Sequence, residues 1–321
     1  MRAITRSNYG PPSALLLEDV PTPTPEDDEV LVRVHASSVN MADVDYLRGR
    51  PFLARMGTGP RRPRTSRLGL DVAGRVEAVG PGATRFQPGD DVFGDMTSYG
   101  FGAFADYVCV PEKAFAPKPV GISMEEAATV PQAGVMALQG LRFGRDIQPG
   151  DQVLINGAGG TVGPFAVLIA KALGAEVTGV DHTDKLDFVS GLGADHVVDY
   201  TQESYKKHRG RYHHILDVAP GSYLRARRAL RPGGAYIVIP ANVRQAFRAG
   251  VFGRLMSIGG KKVGMMPWRP GKAEDMAFLS DRLESGRLKP AIDRTYSLEE
   301  VPEALQRQDD GLARGKLVIV M

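Results

Sequence analysis

Cysteine is almost missing from this chain. Cys109 is the single one in 321 residues, so no internal disulfide can form and no Cys-rich zinc site can be built, as expected of a protein from a reducing compartment. Long apolar runs are missing too. No stretch approaches the roughly 18 residues that a membrane span needs, and Met1-Arg2-Ala3-Ile4-Thr5 carries no apolar signal core. These absences predict a soluble, cytoplasmic protein. A net charge of +3 is too small to argue for a nucleic-acid partner. The one local excess is Arg50, Arg55, Arg61, Arg62, Arg64 and Arg67, which lie in a Pro/Gly-interrupted stretch without acids. It reads as a solvated loop, with contact to an anionic substrate or weak RNA affinity as the other reading.

Apolar residues at 43% and charged residues at 24% suit an ordinary globular chain long enough for two domains. The first part is strand-like. β-rich runs at residues 30–36, 71–79 and 104–110 are separated by turn material such as Gly80-Pro81-Gly82 and Gln87-Pro88-Gly89-Asp90. After Pro119 the texture changes. Ser123 with Glu126 predicts a capping box that opens a helix. Strands at 152–156, 176–181, 196–199, 214–218 and 235–239, with helices over 164–173 and 185–192, then predict βαβ units and a doubly wound parallel sheet. Gly315 to Val320 reads as a final strand that rejoins the first domain.

Asn156-Gly157-Ala158-Gly159-Gly160-Thr161-Val162-Gly163 follows a strand and opens a helix, which is the context of a dinucleotide fingerprint. Gly157 serves the tight turn, Gly160 lets backbone approach a pyrophosphate, and Gly163 lets helix and strand pack closely. The helix N-terminus offers N–H groups and partial positive charge to phosphates. Asp181 stands 24 residues past Gly157, where an acid accepts from the adenosine ribose hydroxyls and repels a 2′-phosphate, tilting the choice toward NAD(H). A turn or N-cap aspartate is the plainer role.

Beyond these motifs, the ordered set Ser37-Ser38-Val39-Asn40 with Asp43, Gly69-Leu70-Asp71-Val72-Ala73-Gly74, Gln87-Pro88-Gly89-Asp90, Pro131-Gln132-Ala133-Gly134, the glycine loop, Leu192-Gly193-Ala194-Asp195 and Gly311-Leu312-Ala313-Arg314-Gly315-Lys316 resembles the zinc-independent, quinone oxidoreductase-like branch of the medium-chain dehydrogenase/reductase superfamily. The resemblance covers essentially the whole chain. It implies a mostly antiparallel GroES-like β domain, 1–119 with 265–321, split around a Rossmann domain, 120–264, with the active site in the cleft and a homodimer as the assembly. It further implies that Asn40 and Asp43 approach the nicotinamide, that Lys185 and Tyr200 contact the adenosine half, and that Arg314, Gly315 and Lys316 close over the cofactor. Relatives of this branch commonly take NADP(H), which pulls against Asp181. Met136 stands where many carry threonine, and Met265 and Met266 lie in a segment that lines the nicotinamide pocket.

No metal is expected. Asn40 stands near the first zinc-ligand position of zinc-dependent relatives, and Leu70 replaces the histidine of their Gly-His-Glu motif; neither supplies a thiolate or imidazole. His213 and His214 precede a buried strand and point to opposite faces. Without a Lewis acid an unactivated alcohol is a poor hydride donor, whereas a quinone or an α,β-unsaturated carbonyl is already polarised. Such a small molecule is the expected substrate, with Asn40 as a donor toward its developing oxygen. Tyr46 and Tyr99 are candidates for the proton that follows, although packing explains each equally well and solvent is another source. A zinc-free alcohol or aldehyde dehydrogenase, and a nucleotide-binding scaffold or redox sensor with little turnover, are the competing functions.

Overall fold

A computed structural model of the chain describes residues 1–52, 55–219, 223–240, 253 and 256–321. The chain forms two compact units, Met1–Val135 with Arg269–Met321, and Met136–Trp268. The boundaries therefore fall beyond the expected 119/120 and 264/265. The physical reason at the first boundary is the helix Met124–Ala128, opened by the Ser123/Glu126 capping box, which packs on strands of the first unit.

In the first unit, β1 (Arg2–Thr5) and β2 (Leu16–Asp19) make an antiparallel ribbon. The main sheet uses β3 (Glu29–Val39), β4 (Asp71–Val79), β5 (Asp91–Asp95), β6 (Tyr107–Pro111) and β7 (Phe115–Pro117), with β14 (Ile292–Ser297) and β15 (Lys316–Val320) from the C-terminal segment. Its order is β14-β15-β3-β4-β5-β7, with β6 paired to the first half of β3. Every pairing is antiparallel except β14 on β15. Val32, Val72, Val92 and Phe115 fill the core on one side, and Ile4, Leu47, Leu305 and Leu317 another cluster. Burial of each such side chain stabilises by about 1.5–3 kcal/mol.

The second unit is a six-stranded, wholly parallel sheet of β8 (Gln152–Asn156), β9 (Glu176–Asp181), β10 (His196–Asp199), β11 (Tyr212–Asp217), β12 (Leu230–Val238) and β13 (Lys262–Met265). The order β10-β9-β8-β11-β12-β13 reverses direction at β8, the 3-2-1-4-5-6 arrangement of a Rossmann sheet. Such a switch point opens a crevice at the carboxyl ends of the strands. No described helix is long and apolar enough to cross a membrane.

Candidate nucleotide loop and buried polar centre

The glycine loop leaves β8 at this switch point. Gly157 has φ of +84°, a left-handed conformation that favours glycine. Its N–H and that of Ala158 donate to Val180 O at 2.9 and 3.1 Å, tying the turn to β9. A Cβ on Gly163 would meet Gly157 O at 2.2 Å and Ala158 O at 2.5 Å, so no side chain fits where the helix Gly163–Ala172 starts. A Cβ on Gly160 would meet only Gly157 O, at 3.5 Å, which leaves open space over the loop. The Gly160 N–H itself turns back to Gly157 O at 3.3 Å. Ala166 N–H reaches Val162 O at 3.1 Å, so the N–H groups of the turn before it, after Thr161 and Val162, are outside this bond.

Asp181 ends β9 and is buried. Its Oδ2 accepts from Gly159 N–H at 2.7 Å and its Oδ1 from His182 N–H at 2.8 Å. The carboxylate therefore braces the loop, where the sequence suggested a ribose contact; each oxygen keeps a second lone pair for such a contact. Lys185 runs beside the loop, close enough that a Cβ on Gly159 would lie 2.9 Å from Lys185 Cβ. Tyr200, 58% exposed, packs edge-on against the His182 ring at 5.9 Å, and its N–H donates to Asp181 O. Gly157 to Gly163, Asp181, Lys185 and Tyr200 are thus brought to one corner of the second unit.

The first unit holds a different arrangement. Asn40 caps the helix Met41–Arg48, and its N–H donates to Asp43 Oδ2 at 2.8 Å in a reciprocal capping box. Asp71 opens β4 directly opposite Ser38 on one side and Asp95 on the other, which puts the three side chains on one face of the sheet. Asp71 Oδ2 accepts from Ser38 Oγ at 2.7 Å, Asn40 Nδ2 at 2.8 Å and Lys316 Nζ at 3.2 Å, while Oδ1 accepts from Gln132 N–H at 2.9 Å. Lys316 Nζ also donates to Asn40 Oδ1 at 2.6 Å. Lys316 is 1% exposed and Asp71 0%.

Two expectations change here. Lys316 was read with Arg314 and Gly315 as closing over a cofactor, yet its ammonium is sealed inside the first unit. Asn40 was read as a donor toward substrate, yet its amide hydrogens point to Asp71 Oδ2 and, at 3.4 Å, Ser38 O. Asp43 is likewise fully buried and engaged as a helix cap. Arg314 is exposed, its N–H 3.3 Å from Asp293 Oδ2. Gly315, at φ +99°, has Ala291 O 2.5 Å from where a Cβ would sit, so the close approach that starts β15 requires glycine.

Burial dominates the electrostatics of the centre. The Asp43 carboxyl is pushed up to about 8 by burial and by Asp71, against the Asn40 N–H bond and Lys316. Asp95 is pushed up to about 7, by burial first and then Asp71, against its Thr97 bonds. Burial lowers Lys316, with Asp71, Asp43 and Asp95 opposing. Burial therefore opposes charge on Asp43, Asp95 and Lys316 alike. Tyr46 lies tilted against Phe101, with ring centroids 4.5 Å apart, and burial raises its phenol. His214 is fully buried and held down to about 4 by burial, a core residue, while His213 Nδ1 accepts from Gln152 N–H at 2.9 Å. Met136 and Met265 are half-buried and Met266 buried. Arg55 donates to Gly49 O at 3.0 Å and lies over Tyr9, whereas Arg61, Arg62 and Arg64 are exposed.

Residues 26–120 match the model of the alcohol dehydrogenase GroES-like domain, and residues 192–319 that of the zinc-binding dehydrogenase family. The chain is 31% identical to a chloroplast envelope quinone oxidoreductase homolog of Arabidopsis thaliana, over 99% of this chain and 98% of the relative. It is 30% identical to a 2-methylene-furan-3-one reductase of Solanum lycopersicum, over 99% of this chain and 79% of that one. The solved quinone oxidoreductase of Coxiella burnetii superposes with a TM-score of 0.89 at 27% identity, covering 100% of this chain and 99% of its own. The protein belongs to the quinone oxidoreductase-like branch of the medium-chain dehydrogenase/reductase superfamily.

The zinc in the second family description does not fit the residues present. Leu70 is apolar and fully buried, and Asn40 and Asp71 are already joined by the Lys316 ammonium. Among the described residues no three His, Cys, Asp or Glu side chains converge as a metal site.

Proposed function

We propose that the protein is an NAD(P)H-dependent, metal-independent reductase of quinones or α,β-unsaturated carbonyls. The observation that carries this reading is the glycine loop at the switch point, closed so tightly at Gly163 that it admits no side chain. The dinucleotide, when bound, supplies the hydride. The chain's own residues bind and orient. The first-turn amides around Val162 and Gly163 hold the pyrophosphate. Asp181 keeps lone pairs for the ribose, Lys185 and Tyr200 flank the adenosine, and the open space over Gly160 admits the phosphates. Arg314 is the exposed cation of the C-terminal motif.

An acceptor that is polarised before it binds needs no Lewis acid, so positioning and exclusion of water supply most of the acceleration. Asn40 and Asp43 support this from behind: they set the start of the helix that carries Tyr46 rather than touching the acceptor. Asp181 favours NADH over NADPH by repelling a 2′-phosphate. The assembly we favour is a homodimer through a sheet edge; among the described strands β13 ends the parallel sheet and leaves such an edge.

Parallel fluorescence titrations with NADH and NADPH, followed by turnover assays on a quinone, an enone and a primary alcohol, test the reading. Micromolar cofactor binding with quinone or enone turnover supports it. Alcohol oxidation alone, or one zinc per chain by elemental analysis, overturns it.

A further inference from the structure

The parallel sheet reverses its strand order between β8 and β11, and Asn156 and Asp217 are paired across that line as the last residues of the two strands. Asn156 also opens the glycine motif and is half-buried. Its Nδ2 donates to Asp217 Oδ1 at 2.7 Å and to Ala219 O at 2.9 Å. A backbone carbonyl can only accept, so the amide nitrogen has to lie on the Ala219 side. That fixes which way the carboxamide is turned. Both N–H groups are spent on β11 and the segment after it, and Oδ1 accepts no hydrogen bond from any described residue.

The partners of this amide are themselves held in place. Asp217 and Tyr236 are fully buried, and the Tyr236 hydroxyl donates to Asp217 Oδ2 at 2.5 Å, which ties the carboxylate to β12. The segment that carries Ala219 lies against the glycine turn, where a Cβ on Gly157 would meet Ala219 Cβ at 3.3 Å and Val218 Cβ at 3.5 Å. An acceptor with a set direction therefore stands at the strand reversal, beside the loop proposed to hold phosphate.

In a doubly wound sheet the two mononucleotide halves lie on opposite sides of the reversal. Asp181, Lys185 and Tyr200 mark the side of β9 for the adenosine half, which leaves the side of β11 and β12 for the other. A carbonyl oxygen repels a phosphate oxygen and takes an O–H or N–H donor. We propose that Asn156 Oδ1 accepts a hydrogen bond from the nicotinamide-side half of the dinucleotide, either a ribose hydroxyl or the carboxamide N–H. Asp217, backed by Tyr236, is the positioning residue that presents this oxygen. A carboxamide free to turn over would offer N–H groups to the same donor, and the contact would be lost.

The inference rests on the proposed function, which NADH binding and turnover by the unaltered protein test separately. Titration calorimetry of the full chain with ADP, ADP-ribose and NADH reads the inference without turnover. ADP lacks the second ribose, and ADP-ribose carries that ribose without the nicotinamide. Asn156→Ser keeps a hydroxyl as donor but removes the carboxamide oxygen. It is expected to weaken NADH about fivefold, the worth of one neutral hydrogen bond, and to leave ADP within about twofold. An equal loss on ADP-ribose assigns the donor to the ribose, and a loss on NADH alone assigns it to the carboxamide. Asp217→Asn is expected to show the same preference, with NADH weakened about threefold; it carries the test if Asn156→Ser fails to fold. An NADH affinity unmoved in Asn156→Ser, equal losses on ADP and NADH, or no such preference in Asp217→Asn overturns the proposal.

Discussion

Asp181 in the second unit and Asp71 in the first are both buried carboxylates, and their partners come from different distances along the chain. Asp181 is met by the N–H of its own neighbour and by that of Gly159. Asp71 is met by groups from residues 38, 40, 132 and 316, which only the tertiary fold assembles. A brace built from one βαβ unit fixes a loop and leaves lone pairs facing outward. A brace built from four segments locks the segments to one another, and its side chains are turned toward one another inside the unit. The first arrangement suits a binding site, and the second suits a structural frame within its own unit.

The strongest way to break this contrast is Lys316→Met. It leaves Asp71 buried with its cation gone, and removal of one partner of a buried pair costs about 3–5 kcal/mol. Calorimetry is expected to show a large fall in Tm, partly recovered in Asp71→Asn with Lys316→Met. A fall no greater than for the exposed Lys289→Met would break the reading of the centre as a frame. Next is Gly163→Ala, whose Cβ must displace the loop carbonyls 2.2 and 2.5 Å away. Cofactor affinity is expected to fall more than tenfold by fluorescence titration. Gly160→Ala keeps Tm, because its nearest neighbour is 3.5 Å away, and weakens binding only through lost room for phosphate.

Asp181→Ser sharpens the comparison from the other side. It is expected to shift the NADPH/NADH affinity ratio upward about tenfold, about 1.4 kcal/mol, and an unchanged ratio would leave Asp181 as a brace alone. The smallest effect is expected of Asp43→Asn, read as the slope of stability against pH. The folded carboxyl titrates near 8 and its ordinary value is 3.8, so the folded state holds the extra proton between those values. Stability therefore falls as pH rises from about 4 to about 8. Asparagine removes that proton and is expected to flatten the slope in urea melts at several pH values.

Much of the second unit was legible in the sequence, because a βαβ unit writes its signals locally. β9, β10 and the glycine turn fall where alternation, apolar runs and glycines put them, and Gly157 and Gly163 have the geometry their places in the motif require. The sixth strand, β13, gave no usable signal in four residues. In the first unit β3 runs on to Val39, past the stretch ending at Ala36 that its β-rich composition suggests. The extension carries Ser37 and Ser38, polar residues that are buried because Asp71 meets both of them. That meeting depends on strand register, which composition does not reveal. Asp95 was missed for the same reason. The one available hint was that acids stand at the start of β4 and the end of β5, where an antiparallel pair sets them side by side. Lys316 was misplaced because a Gly-Lys pair before a final strand looks solvent-facing until its neighbours are known.

The order of β14, β15 and β3 in the first sheet also bears on synthesis. The edge of β3 that holds Ser38 stays uncovered until residues 316–320 leave the ribosome, whereas all six strands of the parallel sheet are already complete by Met265. The inserted unit can therefore fold while the earlier half waits with an open edge, a state prone to aberrant pairing. Clipping the final strand is expected to do more than shorten the protein. It would strip from the sheet the strand that joins β14 to β3 and, among the described residues, the counter-ion of Asp71, and a nascent chain stalled there would need a chaperone's protection.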